Sequence, residues 1–149
     1  MTRRLLILLF VFATVFSNIS YSQIREIPKE VREAFANKYP NAENVDFKDQ
    51  LVVVYVHFTK DSVKYIATYN NKGDWKETEK ESEYEKLPEP VKDGFQKSKY
   101  AEWKVEDAAI IIQPGADEQY RIKVSKNDLQ KKYLYFNSNG RLKRDSLTL

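Results

Sequence analysis

A nine-residue phrase occurs twice in this chain, and it limits the possible folds more than any other feature. Ile27-Pro28-Lys29-Glu30-Val31-Arg32-Glu33-Ala34-Phe35 returns as Leu87-Pro88-Glu89-Pro90-Val91-Lys92-Asp93-Gly94-Phe95. The shared frame is aliphatic residue, Pro, two polar positions, Val, three further positions, Phe. Proline suits a first helical turn, where its missing N–H costs nothing. Val31, Ala34, Phe35 and Tyr39 then share one helical face, and Pro40 stops the helix by pushing Tyr39 out of the α region. The second copy predicts a helix from Leu87 to about Tyr100, with Gly94 inside it at a cost of roughly 1 kcal/mol relative to Ala.

Strand-like sequence follows each copy. Val45 and Phe47 alternate with Asp46 and Lys48 as a short half-buried strand, and Leu51 to Phe58 is the most strongly β-forming run. Lys60-Asp61-Ser62 turns the chain into Val63 to Tyr69, and Asn70 to Gly73 turns it into Trp75 to about Glu79. After a charged connector, Lys80 to Lys86, the order recurs. Trp103 and Val105 answer Val45 and Phe47, and Ala108 to Gln113 leads to the turn at Pro114 to Asp117. Tyr120 to Ser125 matches Val54 to Thr59, Tyr133 to Phe136 matches Ile66 to Tyr69, and Leu142 takes the place of Trp75. The expectation is an α+β domain over residues 23–149, a tandem repeat of two αββββ units (23–81 and 82–149). Together they form one antiparallel sheet of about eight strands with both helices packed on one face.

Residues 1–22 read as a cleaved export signal. Arg3 and Arg4 precede an apolar run from Leu5 to Phe16, and Ser20-Tyr21-Ser22 offers small residues for cleavage before Gln23. That run is shorter than the roughly 20 residues a bilayer core needs, so no membrane attachment is expected after cleavage. The chain has no cysteine, which removes a lipid anchor, disulfides, thiol nucleophiles and thiolate metal sites. Without Arg3 and Arg4 the mature chain carries 23 basic and 22 acidic residues. They are interspersed, which argues against a nucleic-acid footprint.

Because side chains alternate along a strand, the repeat assigns the two faces. Val54, Val56 and Phe58 match Tyr120, Ile122 and Val124, and Ala67 and Tyr69 match Leu134 and Phe136. These apolar positions face the helices. The opposite face carries Tyr55, His57, Ile66 and Thr68 in the first unit and Arg121, Lys123, Tyr133 and Tyr135 in the second. With one helix per unit, nothing covers it. Tyr and Arg are enriched at interface hot spots, so this face is the candidate partner-binding surface. The plainer reading is that an antiparallel sheet simply wets one side.

Little in the sequence points to catalysis, a cofactor or a metal. His57 is the only histidine, sits mid-strand, and has no G-x-S-x-G nucleophile elbow to serve. The four glycines form no phosphate loop. Glu77, Glu79, Glu81, Glu83 and Glu85 fall at every second position; on one continuous strand they would line a face and could attract Ca²⁺. The interleaved Lys76, Lys80 and Lys86 favour a solvated connector.

The pattern Ile27-Pro28-x-x-Val31-x-x-x-Phe35, Tyr39-Pro40-x-Ala42, Tyr65-x-Ala67-x-Tyr69-x-x-x-Gly73-x-Trp75-x-x-Thr78-Glu79 and Leu87-Pro88-x-x-Val91 resembles the PepSY-like, β-lactamase-inhibitor-like proteins. The likeness covers essentially the whole mature chain. It implies a tandem-repeat α+β protein of the Gram-negative periplasm. In β-lactamase inhibitor proteins the open sheet face grips a protein, and PepSY domains are linked to restraint of peptidases. The expected function is therefore a non-enzymatic binding module for another exported protein, an inhibitor or regulator of a hydrolase or peptidase. The alternative is a small apolar-ligand carrier, with a pocket between helices and sheet lined by Phe35, Phe47, Trp75, Phe95 and Trp103. Oligomeric state is not legible.

Overall fold

In the computed structural model, which describes residues 26–148, Pro28 and Pro88 each open a helix. The Pro28 carbonyl accepts from the Val31 and Arg32 N–H groups at 3.1 and 3.2 Å. Pro88 does the same for Val91 and Lys92, at 2.9 and 3.2 Å. The helices are α1 (Lys29–Lys38) and α2 (Glu89–Gln96). The expected signal, residues 1–22, and residues 23–25 lie outside the described residues.

Four strands follow each helix: β1 (Glu43–Asp49), β2 (Val53–Lys60), β3 (Val63–Asn70) and β4 (Trp75–Ser82), then β5 (Lys104–Ile112), β6 (Gln119–Ser125), β7 (Lys131–Asn137) and β8 (Leu142–Leu147). A 3₁₀ turn at Tyr84–Lys86 precedes α2. All eight strands form one sheet in the order β1 to β8, each antiparallel to the next.

The register places both helices on the same side. Val56 pairs with Ala67, Ala67 with Thr78, and Thr78 with Ile112, while Ile110 pairs with Tyr120 and Ile122 with Leu134. On that side α1 buries Val31 and Phe35 against Val54, Val56, Phe58, Ala67 and Tyr69. Leu87 and α2's Val91 and Phe95 bury against Ile122, Val124, Leu134 and Phe136. Each large side chain so buried stabilises by roughly 1.5–3 kcal/mol. The two cores are separate clusters beneath one continuous sheet.

Local details depart from the sequence reading. Leu51 and Val52 are not strand but turn, about three-quarters exposed, because the Asp49 carboxylate accepts the Leu51 N–H at 2.9 Å. Such Asx turns compete with the ladder. Val45 is exposed rather than half-buried, since a bulge between Glu43 and Asp46 breaks its register. Residues 104–112 form one strand with a bulge between Val105 and Asp107. The second helix ends at Gln96, not near Tyr100: Ser98 N–H turns back to the Phe95 carbonyl at 2.9 Å, and Tyr100 drops into the core, donating its hydroxyl to Asp145. Strand β4 runs to Ser82 and pairs there with Ala108, so Lys80, Glu81 and Ser82 belong to the sheet, not to a connector.

Gly94 also has a reason invisible to helix propensity. A Cβ there would stand 1.9 Å from the Gly140 carbonyl oxygen, and one on Gly140 would stand 1.8 Å from that of Pro90. Gly140 itself has φ +76°, a conformation open chiefly to glycine. Two glycines thus let the β7–β8 turn lie directly against α2.

Candidate interaction face

The side of the sheet away from the helices is built from alternate residues. Tyr55, Thr68 and Glu77 sit across β2, β3 and β4, followed one row on by His57, Ile66, Glu79 and Ile111. Ala109, Arg121, Tyr135 and Arg144 cross β5 to β8, with Lys123 and Tyr133 beside them. The eight residues singled out from the sequence therefore share one face. Tyr55 and His57 are exposed, and Ile66, Arg121, Lys123, Tyr133 and Tyr135 are half-buried. Thr68 is the exception at 9% exposed: its short side chain lies between the longer Tyr55 and Glu77, so it is floor and not contact surface.

Arg121 is less a free cation than the sequence suggests. Its guanidinium lies 2.8 Å from Glu79 and 2.9 Å from Asp107, and 4.5 Å from the centre of the Tyr133 ring. Its side chain is only 15% exposed. Lys123 reaches Glu106 at 3.4 Å. Arg144 stacks on Tyr135 at 3.8 Å, and Gln113 donates to Glu77 at 2.9 Å. Burial pushes the Glu79 carboxyl above the usual range; Arg121 pulls it down but does not outweigh the burial.

Glu77, Glu79, Glu81, Asp107 and Arg144 are among the polar residues of this face that sequence reasoning missed. The alternation of the glutamates was the available signal, but the interleaved Lys76, Lys80 and Lys86 pointed to a connector, and Arg121, the cation that makes Glu79 tolerable, lies far along the chain. Glu83 follows β4 and Glu85 lies in the 3₁₀ turn, so only three of the five carboxylates share the strand face. Among the described residues, no group of three His, Asp or Glu side chains is gathered to hold a metal ion. His57 stands mid-strand between Asp46 and Ile66.

A concavity of about 430 Å³ opens on this face, lined by His57, Ile66, Glu79, Asp107, Arg121 and Tyr133 among others. Another, about 820 Å³, lies near the ends of β4 and β5 beside Lys80, Tyr84, Val105 and Ile110. Neither is lined by the five aromatics considered for an apolar ligand: Phe35 and Phe95 are core, and Phe47, Trp75 and Trp103 pack against it.

A family model described as "Putative beta-lactamase-inhibitor-like, PepSY-like" matches residues 52–144. No protein with a curated description matches the sequence. A DUF2874 family protein from Bacteroides ovatus is similar in structure, with a TM-score of 0.75 at 22% identity over 83% of this chain and 89% of that one. A BLIP-like protein from Bacteroides fragilis gives 0.74 at 23% identity, covering 85% and 89%. A protein from Bacteroides eggerthii, described among "putative periplasmic proteins", gives 0.75 at 18% identity, covering 83% and 90%. The eight-stranded sheet with two helices is therefore a BLIP-like α+β fold.

Proposed function

This chain belongs to the PepSY-like, beta-lactamase-inhibitor-like family, and from that membership we propose that it is a non-enzymatic module that binds another exported protein on the open face of its sheet. The partner class that fits the family is a hydrolase or peptidase held in check. The observation that carries the reading is the asymmetry of the sheet. Both apolar cores lie on the helix side, while the other side has no helix over it among the described residues and combines tyrosines, arginines and a concavity. Tyr and Arg supply much of the energy of protein interfaces.

The same proposal includes export to the periplasm with cleavage after Ser22, and a history of duplication in which 23–81 and 82–149 are copies of one unit. The recurrence of one helix and four strands supports the second point. No cofactor is needed.

The test is capture from periplasmic extract on mature protein, Gln23 to Leu149, wild type beside a folded variant with Tyr55, Arg121, Tyr133 and Tyr135 changed to Ala. A protein held by the first and lost by the second supports the reading, and its activity can then be assayed with and without the module. Equal retention by both would refute the role of this face.

A further inference from the structure

The two halves of the open face are not equivalent. In the second half, Tyr133 and Tyr135 stand two residues apart on β7, and each carries a guanidinium from a neighbouring strand. Arg121 of β6 covers Tyr133 at 4.5 Å, and Arg144 of β8 covers Tyr135 at 3.8 Å. Arg121 is itself pinned by Glu79 and Asp107. Both rings are held before any partner arrives. In the first half, Ile66 and Thr68 occupy the corresponding places on β3, and Thr68 is buried. Tyr55 and His57 make no ring stacking, cation contact or side-chain hydrogen bond with the described residues. A side chain already immobilised loses less freedom on association than a free one. The clamped pair is the better anchor.

Charge separates the halves further. Around the tyrosines, Arg121 is shared by two carboxylates, and Lys123 and Lys131 are both matched by Glu106. Arg144 is exposed and makes no ion pair among the described residues. Stacked on Tyr135, its guanidinium keeps its edge N–H groups available, and that planar fork matches a carboxylate in bidentate fashion.

We infer that the partner docks on the second half of the open face, anchored on Tyr133 and Tyr135, and presents an Asp or Glu side chain to Arg144. This rests on the open face being the binding face. Arg121 is a positioning residue: it holds Tyr133 and does not itself meet the partner.

A display library of short disulfide-closed loops, panned on the full mature chain, tests this. Recovered loops are measured against wild type, Tyr133→Ala with Tyr135→Ala, Tyr55→Ala with Ile66→Ala, Arg144→Gln and Arg144→Glu, each checked for folding by its thermal transition. The expected loops are rich in Asp or Glu. They lose about tenfold or more in affinity on the tyrosine pair variant, as hot-spot truncation does. They weaken on Arg144→Gln, weaken further on Arg144→Glu, and ignore the Tyr55/Ile66 change. Because Arg144 is exposed, its two variants decide the question even if the double tyrosine variant fails to fold. Loops sensitive only to Tyr55 and Ile66 would overturn the inference while leaving the open-face reading standing. Loops indifferent to all four variants, or a failure to recover any loop, would count against both. Loops without acidic residues, unmoved by Arg144→Glu, would sink the carboxylate assignment.

Discussion

Helix propensity and packing give opposite signs for Gly94→Ala, which makes it the sharpest test of the packing described above. Propensity alone favours Ala by about 1 kcal/mol. The added Cβ, however, would meet the Gly140 carbonyl oxygen at 1.9 Å, and that oxygen is backbone in a turn fixed by the Gly140 N–H bond to the Asn137 carbonyl, 2.9 Å. Restoring ordinary contact moves α2 or the turn by about 1.5 Å. The helix is seated by Val91 and Phe95, which are 0% and 2% exposed, so such a shift opens gaps at both. Overpacking of this kind costs about 1–3 kcal/mol. Subtracting the propensity gain leaves a net loss of up to about 2 kcal/mol, or up to roughly 8 °C in Tm. Urea unfolding followed by tryptophan fluorescence measures it. Ala34 stands at the matching place on α1, where Ala34→Gly should follow propensity and lose about 1 kcal/mol. A Gly94→Ala protein more stable than wild type would refute the close approach of α2 to the β7–β8 turn.

Tyr69 is fully buried and its hydroxyl finds no hydrogen-bond partner among the described residues, whereas Phe136 serves the same place in the second half; Tyr69→Phe should therefore gain about 1 kcal/mol in chemical denaturation, and a loss would mean that the hydroxyl is satisfied. Hydrogen bonds from Lys132 and Tyr100 hold the Asp145 carboxyl down at about 2. Its contribution is complete above the unfolded value and disappears as pH falls through 3.8 toward 2. Asp145→Asn should flatten stability over that acid range, and an unchanged acid limb would show that the pair contributes nothing. Glu79 works in the opposite sense: its raised folded pKa makes stability rise as pH falls through that pKa toward the unfolded 4.5. Glu79→Gln should remove that slope, seen in urea midpoints taken across mildly acid pH.

The strand faces were legible because the apolar alternation recurs: Val54, Val56 and Phe58 line up with Tyr120, Ile122 and Val124, and positions apolar in both runs mark the buried side. Bulges and turns were not. Asp49 capturing the Leu51 N–H is a local event that hydrophobicity cannot announce, and it takes Leu51 and Val52, the first two residues of the most β-forming run, out of the strand. Residues 80–82, misread as connector, and the purpose of Gly94, correctly placed in its helix, stayed hidden for a different reason. A glutamate ladder looks solvated until the arginine that pairs with it is known, and a helical glycine looks like a defect until the turn lying against it is placed. Both answers lie about 40 residues or more along the chain from the question.

The sequential strand order carries a kinetic consequence. Every ladder joins strands adjacent along the chain, and most close through short turns such as Lys60 to Val63. The exception is β4 with β5, whose pairing of Ser82 with Ala108 must wait for the chain to pass through α2. Folding rates fall as contacts become more distant in sequence, and loop closure sets the entropic cost. An eight-stranded sheet of this kind should form as two runs of hairpins, each collecting its own helix, with the β4–β5 seam closing between them. Its refolding should be fast for a β-rich protein, and weakening the seam should separate the unfolding of its two halves.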